Sequence, residues 1–143
     1  MTGVEFHSKV PDVVGYTCRL LRKAMRKGSR AAVTGPRDAL AQLDRALWHF
    51  DPLEFIPHVR LPEGAKPEPR LAITPIWLVE SIADAPVHEV LVNLGPAIAP
   101  GFESYERVLE IVGREPDAVQ AGRVRWRHYK ERGYALSNHE AGA

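Results

Sequence analysis

The sequence predicts an α/β protein with a largely parallel sheet flanked by helices, on three observations. Over residues 4–50, short apolar runs alternate with amphipathic stretches in the order strand, helix, strand, helix. Two later runs, 89–94 (EVLVNL) and 107–112 (RVLEIV), are rich in Val, Ile and Leu and read as buried strands. A helical stretch from about 116 to 132 follows them and stops at Gly133. Helical crossovers between such strands are right-handed and leave the strands parallel.

Each element has its own warrant. Residues 4–6 form a short first strand, and Pro11-Asp12 opens a helix in which Val13, Val14, Thr17, Leu20, Leu21, Ala24 and Met25 recur at helical spacing. Arg19, Arg22, Lys23, Arg26 and Lys27 fill its solvent positions, and Gly28 is placed to end it. Residues 31–34 are a short buried strand. Gly35-Pro36 then opens a second helix with Pro36 at its first position and an inward stripe of Leu40, Leu43, Leu47 and Phe50. From 51 to 69, five prolines interrupt any regular pattern, and PEGAKPEPR makes 61–70 an exposed loop. Residues 71–74 are a candidate strand, PAIAPGFESYE is a loop with one helical turn, and 137–143 is expected to be a flexible tail. With no repeat and no shift in composition, the 143 residues read as a single domain.

Composition narrows the function. Nineteen Lys and Arg face eighteen Asp and Glu, whereas a protein that grips a nucleic-acid backbone usually carries a clear basic excess. Cys18 is the only cysteine, which rules out an internal disulfide or a thiolate zinc cluster. The first fourteen residues lack the apolar core of a signal peptide, and no apolar run approaches a membrane span. A cytoplasmic location is expected.

An α/β sheet invites a nucleotide-enzyme reading, and the chain lacks its parts. There is no G-x-x-x-x-G-K-[ST] loop and no G-x-G-x-x-G after a strand. The first strand runs into HSKVPD, without glycine amides to wrap a phosphate. The second runs into TGPRD, where Pro36 removes one donor. The six histidines include no H-x-H or H-x-x-x-H pair, and neither His58 nor His128 has a nucleophile or metal ligand beside it in sequence. Glu106 and Glu110 flank a strand without forming a convincing catalytic pair. No cofactor, metal or catalytic site is expected.

Two segments are more specific. In LDRALWHFDPLEFIPH, residues 43–58, Trp48 and Phe55 lie either side of an Asp51-Pro52 turn. They are either core or an exposed aromatic patch that docks a partner. In GRVRWRHYKERGY, residues 122–134, helical spacing sets Val119, Arg123, Trp126, Arg127 and Lys130 on adjoining rows, with Gly122 and Tyr129 turned towards the sheet. Such an edge is a solvated basic helix, a stacking surface for single-stranded bases, or an apolar recess rimmed by cations.

These residues resemble the chi subunit of the bacterial DNA polymerase III holoenzyme. The likeness spans nearly the whole chain: the N-terminal strand, the LDxxLW helix end, the F-x-P-H turn, EVLVNL, and RVLEIV before the last helix. Its most specific part is R-x-R-W-R-x-Y-x-x-x-G-Y-x-L, from Arg123 to Leu136. The resemblance implies a Rossmann-like fold without a nucleotide site and a non-catalytic accessory role in replication. It also implies two partners. One is single-stranded DNA-binding protein, through its acidic C-terminal tail ending in Asp-Ile/Leu-Pro-Phe. The other is the psi subunit of the clamp loader, or a substitute for it. By resemblance Arg123 clamps the tail's carboxylate, Trp126 walls the recess, and Arg127 and Lys130 attract acidic residues upstream. Trp48 and Phe55 face psi. Val119 stands where some relatives carry a base, and the 61–70 loop lacks the expected glycines.

Two rivals remain at this point: a nucleotide-binding enzyme on a Rossmann-like sheet, and a direct single-strand binder using the Arg/Trp/Tyr helix. The missing phosphate loop speaks to the first. Titration with ATP, GTP or NAD is expected to give no saturable binding, and a micromolar isotherm for any of them would contradict this reading.

Overall fold

Three apolar tetrapeptides, AAVT, IWLV and VLVN, are buried along their whole length, and with the run at 107–113 they become the middle of one sheet. The computed structural model describes residues 2–141. Its strands are β1 (Gly3–Val10), β2 (Ala31–Thr34), β3 (His58–Leu61), β4 (Ile76–Val79), β5 (Val90–Asn93), β6 (Arg107–Gly113) and β7 (Ala135–Glu140). They lie in the order β3-β4-β2-β5-β6-β1-β7, and every pairing is parallel. The helices are α1 (Val13–Arg26), α2 (Arg37–His49) and α3 (Pro116–Glu131). The expected α/β, Rossmann-like arrangement is what the chain adopts.

Continuous apolar strands are what a parallel sheet needs, because helices cover both faces. Alternation divides their side chains between two cores. Val33, Leu78, Val92 and Ile111 pack against Cys18 and Leu21 of α1 and Leu40, Leu43 and Leu47 of α2. Ala32, Trp77, Leu91 and Val108 point to the other face, with Phe6, Phe102, Tyr105 and Tyr129 of α3. Burial raises the Cys18 thiol to about 11, so it stays protonated and packs as a small apolar group.

Local chemistry sets the helix ends. The Asp12 carboxylate accepts the Gly15 N–H at 3.1 Å and caps α1, and Gly28, at φ 77°, ends it. Pro116 begins α3 and Gly133, at φ 79°, terminates it. Pro36 is the residue before the first turn of α2 rather than within it.

Several further expectations are corrected. Residues 71–74 are not a strand: Pro69–Leu71 is a 3-10 turn, and the N–H groups of Leu71, Ala72 and Thr74 are spent on local carbonyls. The strand is IWLV, after Pro75, a proline that delays the ladder rather than ending it. β3 lies inside the stretch read as irregular, where Pro57 and Pro62 bracket four residues and hide the signal. β1 runs on to Val10 through a register shift between His7 and Val10, where Lys9 takes a φ of 56°. The tail is ordered as far as 141: Ala135–Glu140 pairs with β1 although its sequence, ALSNHE, shows no apolar alternation. Residues 142 and 143 of that expected tail lie outside the described residues. Of the expected 61–70 loop, Leu61 is instead buried as the last residue of β3, and 62–70 is exposed except at Ala65 and Pro67, which are half-buried.

No helix among the described residues is long and apolar enough to cross a membrane. Nor does any group of three or more His, Cys, Asp and Glu among them have the arrangement to hold a metal ion.

Candidate functional site: the groove beside the last helix

The position of α3 is set by a buried polar network. Glu110 of β6 is fully buried and Arg125 of α3 is 4 % exposed, with Nε donating to the Glu110 carboxylate at 2.9 Å. The Tyr129 hydroxyl donates to the same carboxylate at 2.6 Å and Asn93 Nδ2 at 3.0 Å. Arg125 Nη1 also donates to the Pro96 carbonyl, and Asn93 Nδ2 to that of Ala97. Asn93 and Glu110 are register partners on neighbouring strands. The network therefore ties the middle of α3 to the end of β5, the middle of β6 and the loop after β5.

Burial pushes the Glu110 carboxyl above its ordinary range, against the downward pull of the Arg125 charge and of the three donated hydrogen bonds. Burial, then the Glu110 charge, raises the Tyr129 phenol far beyond its usual value, so it acts only as a donor. Close approach of helix to sheet also needs Gly122. A Cβ there would meet Val112 side-chain atoms at 3.1 Å.

Held in this way, α3 leaves a groove of about 600 Å³ between itself and β1 and β7. Phe6, Val112, Val119 and Trp126 make its apolar surface. The Trp126 ring is fixed edge-on to Phe6, with centroids 5.2 Å apart and planes at 73°. Arg123, Arg127 and Lys130 also line it. All three are exposed and form no ion pair among the described residues. All five residues expected on this helix thus border one groove, as helical spacing requires.

The sequence reading missed contributions from elsewhere in the chain. Phe6 and Lys9 enter from β1, and Asn138 from β7. Lys9 reaches the groove at the β1 irregularity and pairs with Glu140 across the strand ends at 3.2 Å. Arg125 stands beside Trp126 in the motif, but its inward role follows only from the buried Glu110, which the sequence marks as a carboxylate without showing its partner.

Trp48 and Phe55 lie elsewhere, on the β3 side of the sheet. Both are 56 % exposed, with ring centroids 5.3 Å apart, and neighbouring Leu53 is 96 % exposed. The core alternative for these two rings is excluded, and Ile56, fully buried, is the residue that anchors the segment. His58 stands 5.0 Å from the Trp48 ring, its Nε2 3.0 Å from Asp44 Oδ1 and its Nδ1 2.7 Å from the Ile56 carbonyl. The aromatic patch and the α3 groove therefore sit towards opposite edges of the sheet. Six strand spacings put the edges roughly 29 Å apart, at about 4.8 Å each.

In a doubly wound sheet ligands bind beyond the carboxyl ends of the strands, and a cleft of about 370 Å³ exists there at Thr34, Glu80 and Asn93. Its chemistry is unsuited to phosphate. Glu80 brings negative charge, nearby Arg37 is paired to Glu80 at 3.3 Å, and the Asn93 amide is committed to Ala97 and Glu110.

The parallel sheet thus carries a basic, aromatic groove towards one edge and an exposed aromatic patch towards the other. The model of the family "DNA polymerase III chi subunit, HolC" matches residues 1–137. The chain belongs to that family, which makes it a replication accessory subunit. It is 34 % identical to the DNA polymerase III subunit chi of Pseudomonas aeruginosa, over 97 % of this chain and 96 % of that one. It is 25 % identical to the subunit chi of Haemophilus influenzae, over 87 % and 85 % respectively.

Removing one member of a buried ion pair strands the other. Glu110→Ala should therefore lower stability by about 3–5 kcal/mol in urea unfolding. A loss under about 1 kcal/mol would contradict the role given to this network.

Proposed function

We propose that the chain is a non-catalytic adaptor of the replicase. Its α3 groove receives the acidic C-terminal tail of single-stranded DNA-binding protein, and its aromatic patch docks the psi subunit of the clamp loader, or a protein in psi's place. The observation that carries this reading is the company of Arg123. An arginine with no ion-pair partner among the described residues stands at an apolar recess walled by Trp126 and Val119, flanked by Arg127 and Lys130. A peptide ending in Phe presents a terminal carboxylate and one ring. A planar guanidinium donates two parallel hydrogen bonds to the first, and the recess takes the second.

Lys9 also lines this groove, with its charge paired to Glu140 at 3.2 Å, so the unpaired cations of the site come from α3 alone among the described residues. The single-strand reading fares less well. Trp126 is set edge-on against Phe6 as a wall, which suits an inserted side chain better than a stacked base, and the formal net charge of +1 leaves few counterions to release. On this account the protein meets DNA through its partners and works at the replisome.

Arg123→Ala should weaken binding of a tail peptide about tenfold to a hundredfold, since a hydrogen bond to a charged group is worth about 1.5–3 kcal/mol. Arg127→Ala and Lys130→Ala should cost less and matter mainly at low salt, where exposed charges are poorly screened. Calorimetric titration of the three variants at two salt concentrations tests the ranking, and equal losses at high salt would show the clamp to be elsewhere. In the second surface, Phe55→Ala should weaken capture of psi and leave the tail affinity unchanged. Loss of both activities together would argue against two separate surfaces.

A further inference from the structure

The two edges of the sheet are finished differently. β3 is four residues long and lies between Pro57 and Pro62, a device that discourages further pairing. β7 is six residues long, contains neither proline nor lysine, and is the last strand of the sheet on its side. Five of its six residues are exposed. An edge of this length left open is a template for another strand.

Alternation decides which of its backbone groups are available. Along a strand in a parallel ladder, the N–H and C=O of one residue point to the same side and those of the next residue to the other. The Ala141 N–H donates to the Ser8 carbonyl at 2.9 Å, continuing the register from Gly3↔Ala135 to Ser8↔Glu140. Residues 135, 137 and 139 therefore face β1, while Leu136, Asn138 and Glu140 turn their backbone groups to the open edge. Asn138 also lines the α3 groove, where its Oδ1 accepts from Ser8 Oγ at 3.0 Å. Edge and groove share this residue, so one extended chain passing over it meets both.

We propose that β7 takes an eighth strand. An acidic peptide segment pairs its backbone with Leu136, Asn138 and Glu140, and its carboxyl-terminal residues continue into the α3 groove. The inference rests on the adaptor reading and deepens it, adding backbone recognition to recognition of the terminus. Charge favours this occupant: the groove presents Arg123, Arg127 and Lys130, which form no ion pair among the described residues, and the one carboxylate of β7, Glu140, is paired with Lys9. A second copy pairing β7 to β7 would instead bring two cation-lined grooves together.

The test uses the full chain and an acidic peptide ending in Asp-Ile-Pro-Phe, titrated calorimetrically. Asn138→Pro removes an outward N–H and spares the donors that β7 gives to β1. Asn138→Ala loses the same side chain but keeps that N–H. The proline variant is expected to bind about tenfold more weakly than the alanine variant, the worth of one or two backbone hydrogen bonds. With the unaltered protein, single N-methylation of peptide amides upstream of the proline should weaken binding at alternate positions only. This second arm stands even if Asn138→Pro unfolds. Equal affinity of the two variants together with tolerance of every N-methyl group would overturn the eighth strand while leaving the adaptor reading intact. Failure of the unaltered peptide to bind the unaltered protein would overturn both. A dimer that separates only in Asn138→Pro would assign the edge to a second copy and overturn the proposal.

Discussion

The carboxylate of Glu110 and the guanidinium of Arg125, both shut away from water, fix where the last helix lies, and the groove exists only because the helix lies there. An apolar contact can slide along a helix with little penalty. A buried ion pair with Tyr129 and Asn93 completing its hydrogen bonds cannot, because any slip leaves a charge uncompensated. The motif around Trp126 therefore splits by direction. Arg125 and Tyr129 point inward and hold the helix, while Arg123, Arg127 and Lys130 line the groove and form no ion pair among the described residues. Three arginines within five residues do two different jobs.

How much of this was legible depends on whether the signal was local. α1, α2 and α3 declare themselves through spacing and end residues such as Asp12, Gly28, Pro116 and Gly133. β2, β5 and β6 do so as dense apolar runs. β3 and β4 did not, since Pro57, Pro62 and Pro75 read as breaks when they are only borders. β7 has no pattern of its own and is a strand because β1 offers it a ladder. The same division holds at the site. Val119, Arg123, Trp126, Arg127 and Lys130 share one helix, so spacing alone gathers them. Phe6, Lys9 and Asn138 come from strands more than a hundred residues apart in the chain, joined by the register Phe6↔Asn138. Glu110 was visible as a carboxylate, but its partner lies fifteen residues on and in another element.

Placing the two surfaces at opposite edges suits a protein that joins partners. The α3 groove opens beside β1 and β7. The Trp48–Phe55 patch lies where α2 meets β3, steadied by Ile56 below and His58 alongside. Between them, β4, β2 and β5 are buried along their whole length. The cleft at the strand ends, which a nucleotide enzyme of this architecture would use, holds an acid, a paired arginine and a committed asparagine.

The central claim is that the groove recognises a free carboxyl terminus next to an aromatic ring. The most direct measurement compares one acidic tail peptide ending in Phe with its C-terminal amide and with the peptide lacking that Phe, against the same protein in the same buffer. Converting the carboxylate to an amide removes the charge that Arg123 would meet and leaves everything else in place. The account predicts that the amide binds at least about tenfold more weakly and that the shortened peptide loses most of its affinity. Equal binding of acid and amide would contradict it, because the cations would then be reading only the acidity of the chain.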